Sequence, residues 1–165
     1  GVDDLTINPK RSEERKESTI AREAYFLEYA QDIRKAVSLP LMVTGGFRTK
    51  VGIEDALQSN VCQMVGIGRP LCADPYCIKK MIAGEIETLP SFEKTLSLGP
   101  SIFSPSSPFT IIKVINAFGA MAWFYQQIKN MANGLMPNHE QKLFNAFRAD
   151  MKADKLAIKD YLDNN

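Results

Sequence analysis

Histidine is nearly absent from this chain: His139 is the only one in 165 residues. A centre built on several imidazoles is therefore excluded. Cysteine is scarce as well. Cys62, Cys72 and Cys77 are odd in number, and no two of them show the two-residue gap of a zinc or redox motif. That pattern predicts no metal site and no disulfide framework, and it fits a reducing, cytoplasmic setting. An excess of charge of one sign is missing too. Lys plus Arg number 20 against 19 for Asp plus Glu, a formal net charge of +1. Neither a nucleic acid nor an anionic membrane is expected as a partner on that balance. Long hydrophobic runs are lacking. The longest apolar stretch, Phe109 to Tyr125, is interrupted by Lys113 and Asn116, so no membrane span is expected. Gly1 to Lys10 hold neither a charged-then-apolar leader nor an initiator Met, which leads us to expect that the chain begins inside a longer gene product. No fixed-period repeat and no low-complexity segment occurs.

What is present is ordinary globular material: 45% hydrophobic and 24% charged residues, long enough to build a core. Gly1 to Ile7 reads as a short strand end and Asn8 to Glu17 as a solvated polar loop. Ser18 or Thr19 then caps a helix whose inward face is Phe26, Tyr29, Ala30, Ile33 and Val37, at spacings of three and four. Past Pro40, Leu41 to Val43 form a short apolar run ending in Thr44-Gly45-Gly46, as expected of a strand buried on both faces. Thr49 can cap a second helix with Ile53, Ala56 and Leu57 inward. Val61 to Ile67 is a second buried run, ending in Gly66-Ile67-Gly68-Arg69-Pro70. Asp74-Pro75 then begins a helix with Ile78, Met81 and Ile82 inward, and Gly84 closes it.

Helix, strand, helix, strand and helix with short connections imply right-handed β–α–β units and a parallel pairing of Met42–Thr44 with Met64–Ile67. The texture changes after Pro90. Leu98 to Pro108, rich in Gly, Ser and Pro, reads as a linker. A helical stripe follows at Ile111, Ile115, Phe118, Ala122, Tyr125, Ala132 and Leu135. Asn138 with Gln141 resembles a capping box for a last helix faced by Leu143, Phe147, Met151, Ile158 and Leu162. The expected organisation is an α/β segment over residues 1–90, a loop over 91–108 and a helical extension over 109–165.

Two stretches can carry chemistry: Gly45-Gly46-Phe47-Arg48 and Gly68-Arg69-Pro70. Each directly follows a strand, at the C-terminal end where α/β folds bind ligands. Glycine lets backbone N–H groups approach an anion, and Arg48 or Arg69 can add a charge-assisted contact to phosphate. Taken singly, either loop reads as a tight turn and nothing more. Taken together, they point to a phosphate site shared by neighbouring β–α loops. Gly66-Ile67-Gly68 lacks the third glycine of a dinucleotide fingerprint, and Pro70 follows at once, which argues against a Rossmann loop.

Glu23-Ala24-Tyr25-Phe26-Leu27, Ile33-Arg34, Pro40 to Thr49, Val65 to Leu71 and Ala73-Asp74-Pro75, in this order and spacing, resemble the last third of the NADH:flavin oxidoreductases of the old yellow enzyme family. The resemblance is close over about Arg22 to Glu85. Trp123 to Gln127 and Gly134 to Pro137 resemble the C-terminal extension of one bacterial and fungal branch. The resemblance implies the last three or so strands of a TIM (β/α)8 barrel followed by a mostly helical extension. It implies FMN as cofactor, NADH or NADPH as electron donor, a small-molecule substrate, and room for a homo-oligomer. It places the FMN phosphate against the loops after strands seven and eight. Gly46 and Phe47 match the first loop through backbone N–H, with Gly45 supporting the turn and Arg48 beside it. Gly68 and Arg69 match the second, Arg69 reaching the phosphate and the flavin edge. Gly1 to Ile7 resembles the sixth strand, but Asn8-Pro9-Lys10 stands where the family has a small, Gly-rich stretch. The family's substrate-orienting His or Asn pair and its proton-donating Tyr precede that strand, so no catalytic residue is carried onto this chain. The three cysteines do not match the iron–sulfur spacing of the dienoyl-CoA-reductase branch, and no cluster is expected. His139 is expected at the surface or near a cap, and Trp123 and Phe124 in a core or interface. Two other readings remain at this point: a barrel fragment that binds a different phosphorylated metabolite, and a truncated, non-catalytic interaction module.

Overall fold

Pro40 bars helix continuation, and the apolar residues after it are too few for a helical face, so the chain extends. In the structure, a computed structural model that describes residues 17–164 (backbone alone for residues 17–24 and 26), Met42–Thr44 forms strand β1 and Met64–Gly66 forms strand β2. They pair in parallel, with Met42 opposite Met64, Val43 opposite Val65 and Thr44 opposite Gly66. The expected parallel pairing is found. The expected strand end at Gly1 to Ile7 and the loop from Asn8 lie outside the described residues.

Around the pair stand helix α1 (Glu17–Ala36), α2 (Lys50–Gln58), α3 (Arg69–Ala73) and α4 (Cys77–Ile82). The described residues divide into two compact units, one drawn from Gly1–Leu71 with Pro75–Pro90, the other from Cys72–Asp74 with Ser91–Asn165. In the first unit, Ala30, Val43, Phe47, Ala56, Val61 and Cys62 form one buried cluster, with Leu27, Leu41, Ile53, Val65 and Ile67 against it. Cys77, Met81 and Leu89 form a second, joined by Ile53, Ile67, Leu71, Ile78 and Ile86.

Several expectations about helix faces and ends are corrected here. The strands are not buried on both faces: Val43 is inside, while Met42 and Met64 are about 60% exposed. Alternate strand side chains point to opposite sides, and the helices of this unit cover one side. Helix α1 already runs at Glu17, so Ser18 and Thr19 lie in its first turn and do not cap it. Its inward residues are Leu27 and Ala30, whereas Tyr29 and Ile33 are exposed. The guanidinium of Arg34 explains this phase. It donates to the carbonyls of Leu39 at 2.9 Å and Val61 at 3.4 Å and to the Gln63 side chain, tying the end of α1 to the approaches of both strands. In α2, Ala56 is buried but Leu57 is exposed. Arg69 and Pro70, expected in a loop, begin the short helix α3. Helix α4 begins at Cys77, not at Asp74-Pro75, and Ile82 faces solvent. Thr49 does cap α2, its hydroxyl accepting from the Gly52 amide at 3.1 Å. Gly84 does close α4, at φ +76°, a conformation glycine adopts without penalty.

The second unit is built on α5 (Thr110–Ala132) and α6 (Leu143–Asp163), preceded by two single 3-10 turns at Phe92–Lys94 and Ser101–Phe103. The helical stripe expected along α5 is divided: Ala122 is buried, but Ile111, Phe118 and Tyr125 are exposed, and Asn116, Gly119, Trp123 and Gln127 take the inside with Ala122. Buried amides need partners, and both have them. Asn116 donates to the carbonyls of Phe103 (3.0 Å) and Ile112 (2.8 Å) and accepts from the Leu98 amide (2.9 Å). Gln127 accepts from the Asn138 amide at 2.6 Å and donates to the Gln141 side chain at 3.3 Å. Trp123, fully buried, donates its indole N–H to the Gln141 carbonyl at 2.9 Å. The Asn138 amide and Gln141 thus serve α5, the Asn138 side chain accepts from the Glu140 amide at 3.0 Å, and α6 starts after them at Leu143 with no side-chain cap. Leu143 and Ala146 are buried, but Met151, Ile158 and Leu162 are exposed: only the first turns of α6 are covered. Gly119 sets the spacing of the two helices. A Cβ there would collide with Leu143 Cδ2 and lie 2.8 Å from its Cγ. Among the described residues, no helix is long and apolar enough to cross a membrane.

Candidate phosphate-binding pocket

Parallel strands end on the same edge, so the segments leaving β1 and β2 emerge side by side. The first turns sharply at Gly45 and Gly46, with φ of 121° and 77°. Both values lie in the region that side chains disfavour, which is why two glycines occupy the turn. Phe47 then plunges inward, 1% exposed, and anchors the loop in the core. Downstream, Lys50 N–H donates to the Glu87 carbonyl at 3.0 Å and Leu89 N–H to the Arg48 carbonyl at 2.7 Å, flanking a Thr49–Thr88 bridge. The loop is therefore pinned at both ends. The second loop leaves β2 at Gly66. A Cβ there would strike the Thr44 hydroxyl, so glycine permits the close approach of the two strand ends. The Leu71 amide donates to the Gly68 carbonyl at 2.9 Å, and Pro70 is buried below the exposed Arg69.

Together these loops frame one cavity of about 360 Å³, lined by Thr44, Gly45, Gly46, Phe47, Arg48, Gly66, Ile67, Gly68 and Arg69. All six residues singled out in the sequence, Gly45, Gly46, Phe47, Arg48, Gly68 and Arg69, border it. Thr44, Gly66 and Ile67 border it as well and were not selected. Their adjacency to the glycines was the signal that could have found them.

Among the described residues, the lining contains two guanidinium groups and no carboxylate. Arg48 spends one N–H on the Phe47 carbonyl at 3.0 Å, which folds its side chain back along its own loop. Arg69 projects from the first residue of α3. Among the described residues, no hydrogen bond engages the amides of Gly46 or Phe47. An unpaired amide on a residue as buried as Phe47 is rare in proteins and suits an acceptor arriving from the pocket. The volume falls at the lower end of the roughly 300–1,000 Å³ of small-molecule sites. By charge, donors and size, the pocket is suited to an oxyanion such as a phosphate ester, and this is the fit that FMN requires of it.

Other reactive groups lie elsewhere. Burial pushes the Cys62 thiol up, partly offset by the Met64 backbone and the Arg34 guanidinium, and burial likewise pushes up Cys72. Neither lines the pocket. His139 belongs to the second unit, where its Nε2 lies 2.6 Å from the Ala73 carbonyl and its ring packs 4.3 Å from that of Phe92. Among the described residues, no cluster of three or more His, Cys, Asp or Glu could hold a metal.

The first unit is thus an α/β unit with a parallel strand pair and an anion-suited pocket at its C-terminal edge. Comparison with known proteins sharpens the class. The chain is 32% identical over 101 residues to the NADH-dependent flavin oxidoreductase iliE of Neonectria sp. (strain DH2), a match to 59% of this chain and 12% of the relative. It is 41% identical over 61 residues to the protein of that name from Hypocrea jecorina (strain QM6a), covering 36% of the chain and 15% of the relative. A bilirubin reductase of Mediterraneibacter gnavus (strain CC55_001C) is 39% identical over 61 residues, covering 37% and 10%. The relationship expected from the loop motifs is therefore found: the chain is similar to NADH-dependent flavin oxidoreductases, over stretches that span 10–15% of these relatives' length. No protein-family model matches the chain, and no solved structure does.

Proposed function

We propose that this chain supplies the FMN-phosphate end of an NADH-dependent flavin oxidoreductase whose catalytic barrel is a TIM (β/α)8 fold. The observation that carries the reading is the single pocket bordered by both Gly–Arg loops, at the C-terminal edge of a parallel strand pair. The names of the curated relatives support it. In this reading residues 1–90 are a barrel segment, 91–108 a link and 109–165 a helical extension, working in the cytoplasm on a small-molecule substrate. The amides of Gly46 and Phe47 hold phosphate oxygens from one loop. Gly68 gives the phosphate close access, and Arg69 adds a charged donor from the other. Arg48 contributes positive potential while its hydrogen bond to Phe47 holds the turn. FMN, when bound, supplies hydride transfer between a nicotinamide donor and the acceptor. In this reading the residues of this chain bind and orient. The 165-residue chain alone is accordingly expected to bind FMN weakly and to oxidise no NADH.

The test is a titration of the 165-residue chain with FMN and with riboflavin, which carries the same ring without the phosphate, followed by flavin fluorescence. FMN should bind at least tenfold tighter, and inorganic phosphate should compete. Equal affinities would refute a phosphate anchor. Full competition by a simple sugar phosphate, with no added affinity from the flavin ring, would favour a different phosphorylated metabolite.

A further inference from the structure

Glycine-rich loops do not hold their own shape. Gly45, Gly46 and Gly68 carry no side chain to pack, so rigidity of the two pocket loops has to come from residues around them. The strand ladder gives none beyond its last pair, Thr44 with Gly66. Rigidity matters because an oxyanion bridging both loops takes donors from each at once. Hydrogen bonds span roughly 2.7–3.2 Å, so a displacement of about 1 Å breaks one.

The segment Glu87 to Leu89 runs as a strap along the far end of the first loop. Thr88 bridges Thr49, the Glu87 carbonyl accepts from Lys50 N–H at 3.0 Å, and Leu89 N–H donates to the Arg48 carbonyl at 2.7 Å. Among the described residues, the pocket lining draws nothing from this strap. Leu89 also reaches the other loop. Its side chain is 1% exposed and sits in the buried cluster of Cys77 and Met81. Against that cluster pack Ile67 and Leu71, which bracket the second loop. Ile67 lines the pocket, and the Leu71 amide closes its turn on the Gly68 carbonyl at 2.9 Å. One residue thus grips the first loop by its main chain and the seat of the second by its side chain.

We propose that Leu89 is a positioning residue for the phosphate: it sets the gap between the Gly45–Arg48 and Gly68–Arg69 loops and holds it at the width the anion needs. The inference rests on the phosphate reading of the pocket and extends it to a residue that lies outside the lining. Ordering loops at the moment of binding costs affinity, so donors held in advance bind tighter than the same donors on free loops. Truncating Leu89 leaves its N–H in place but lets the strap drift. The loss should therefore fall on the phosphate and spare the flavin ring. Linkage acts in reverse as well. If the anion binds when the strap is closed, the bound anion holds the strap closed.

Two measurements on the 165-residue chain test this. The first compares FMN and riboflavin dissociation constants for the parent, Leu89→Ala, Leu89→Met and Met81→Ala. Leu89→Ala should cut the preference for FMN by roughly fivefold or more. Leu89→Met, which refills the site, should restore it. Met81→Ala hollows the same cluster away from the strap and should keep the preference, although it too destabilises the unit. The second measurement needs no substitution: amide hydrogen exchange of the parent with FMN at about ten times its dissociation constant. Exchange at Lys50 and Leu89 should slow about tenfold. The Ser59 amide, which closes the other end of α2 on the Asp55 carbonyl, should keep its rate. Leu89→Ala discriminating as the parent does, an equal loss in Met81→Ala, or unaltered exchange at Lys50 and Leu89 overturns the inference and leaves the phosphate site standing. Equal slowing at Ser59 overturns it too, since that marks stabilisation of the whole unit. A parent that binds FMN and riboflavin alike brings down the phosphate reading and this inference with it.

Discussion

Gly119→Ala should destabilise the second unit in the parent chain and stabilise it when Leu143 is also truncated. The added Cβ would collide with Leu143 Cδ2 and sit 2.8 Å from Cγ. Leu143 cannot swing away freely, because it is 3% exposed and already packed against the α5 backbone at Gly119. Overpacking of this kind costs about 1–3 kcal/mol. Against it, replacing glycine by alanine within a helix gains about 1 kcal/mol. The net expectation is a loss of roughly 0–2 kcal/mol. With Leu143→Ala in place the obstructing atoms are gone, and the same substitution should gain up to about 1 kcal/mol, although Leu143→Ala itself costs on the order of 2–5 kcal/mol. The sign therefore reverses between backgrounds, with a coupling of about 1–3 kcal/mol. Urea unfolding followed by Trp123 fluorescence measures it directly, since Trp123 is the only tryptophan and lies buried in this unit. Full stabilisation by Gly119→Ala in the parent, or additivity of the two substitutions, would refute the close packing of α5 on α6.

Thr49→Ala should lower the thermal stability of the first unit by about 1 kcal/mol, because it removes the acceptor for the Gly52 amide. Hydrogen exchange should then speed up in the first turn of α2, and unchanged protection there would disprove the cap. The raised thiols of Cys62 and Cys72 predict a pH dependence. Their stability contribution is complete below the ordinary thiol value near 8.5 and is lost as pH rises through the higher folded-state values. The urea midpoint should therefore fall on going alkaline, and Cys62→Ala should flatten that fall; a slope identical in parent and variant would contradict it.

The sequence made the parallel pair legible because each strand announces itself twice, by a short apolar run and by the glycine that ends it. Thr49 and Gly84 were legible as helix ends for equally local reasons. The phases of α1 and α5 were not. Hydrophobic periodicity picks out the most apolar stripe, which on α5 holds Ala122, which is buried, together with Ile111, Phe118 and Tyr125, which are exposed. The inside is instead set by Trp123, by the absence of a side chain at Gly119, and by Asn116 and Gln127, whose partners include the Leu98 and Asn138 amides 18 and 11 residues away. Likewise Arg34 fixes α1 through carbonyls at Leu39 and Val61, a long-range arrangement that no local pattern encodes. Six residues of the cavity lining were legible because they lie in two contiguous loops. Thr44 and Gly66 were passed over because their role is mutual: the glycine exists to clear the threonine.

The central claim is that the two Gly–Arg loops hold a phosphate. Arg69 is exposed, so its contact belongs at the lower end of charge-assisted bonds, about 1.5 kcal/mol or roughly tenfold in affinity. Lys50, one residue past the Thr49 cap, does not line the pocket. The most direct measurement is the FMN dissociation constant, with riboflavin alongside, for the parent chain, Arg69→Ala and Lys50→Ala. The account predicts that Arg69→Ala weakens FMN about tenfold, leaves riboflavin unchanged, and that Lys50→Ala alters neither. Equal FMN affinity for Arg69→Ala and the parent, or an equal loss of FMN and riboflavin, would contradict it.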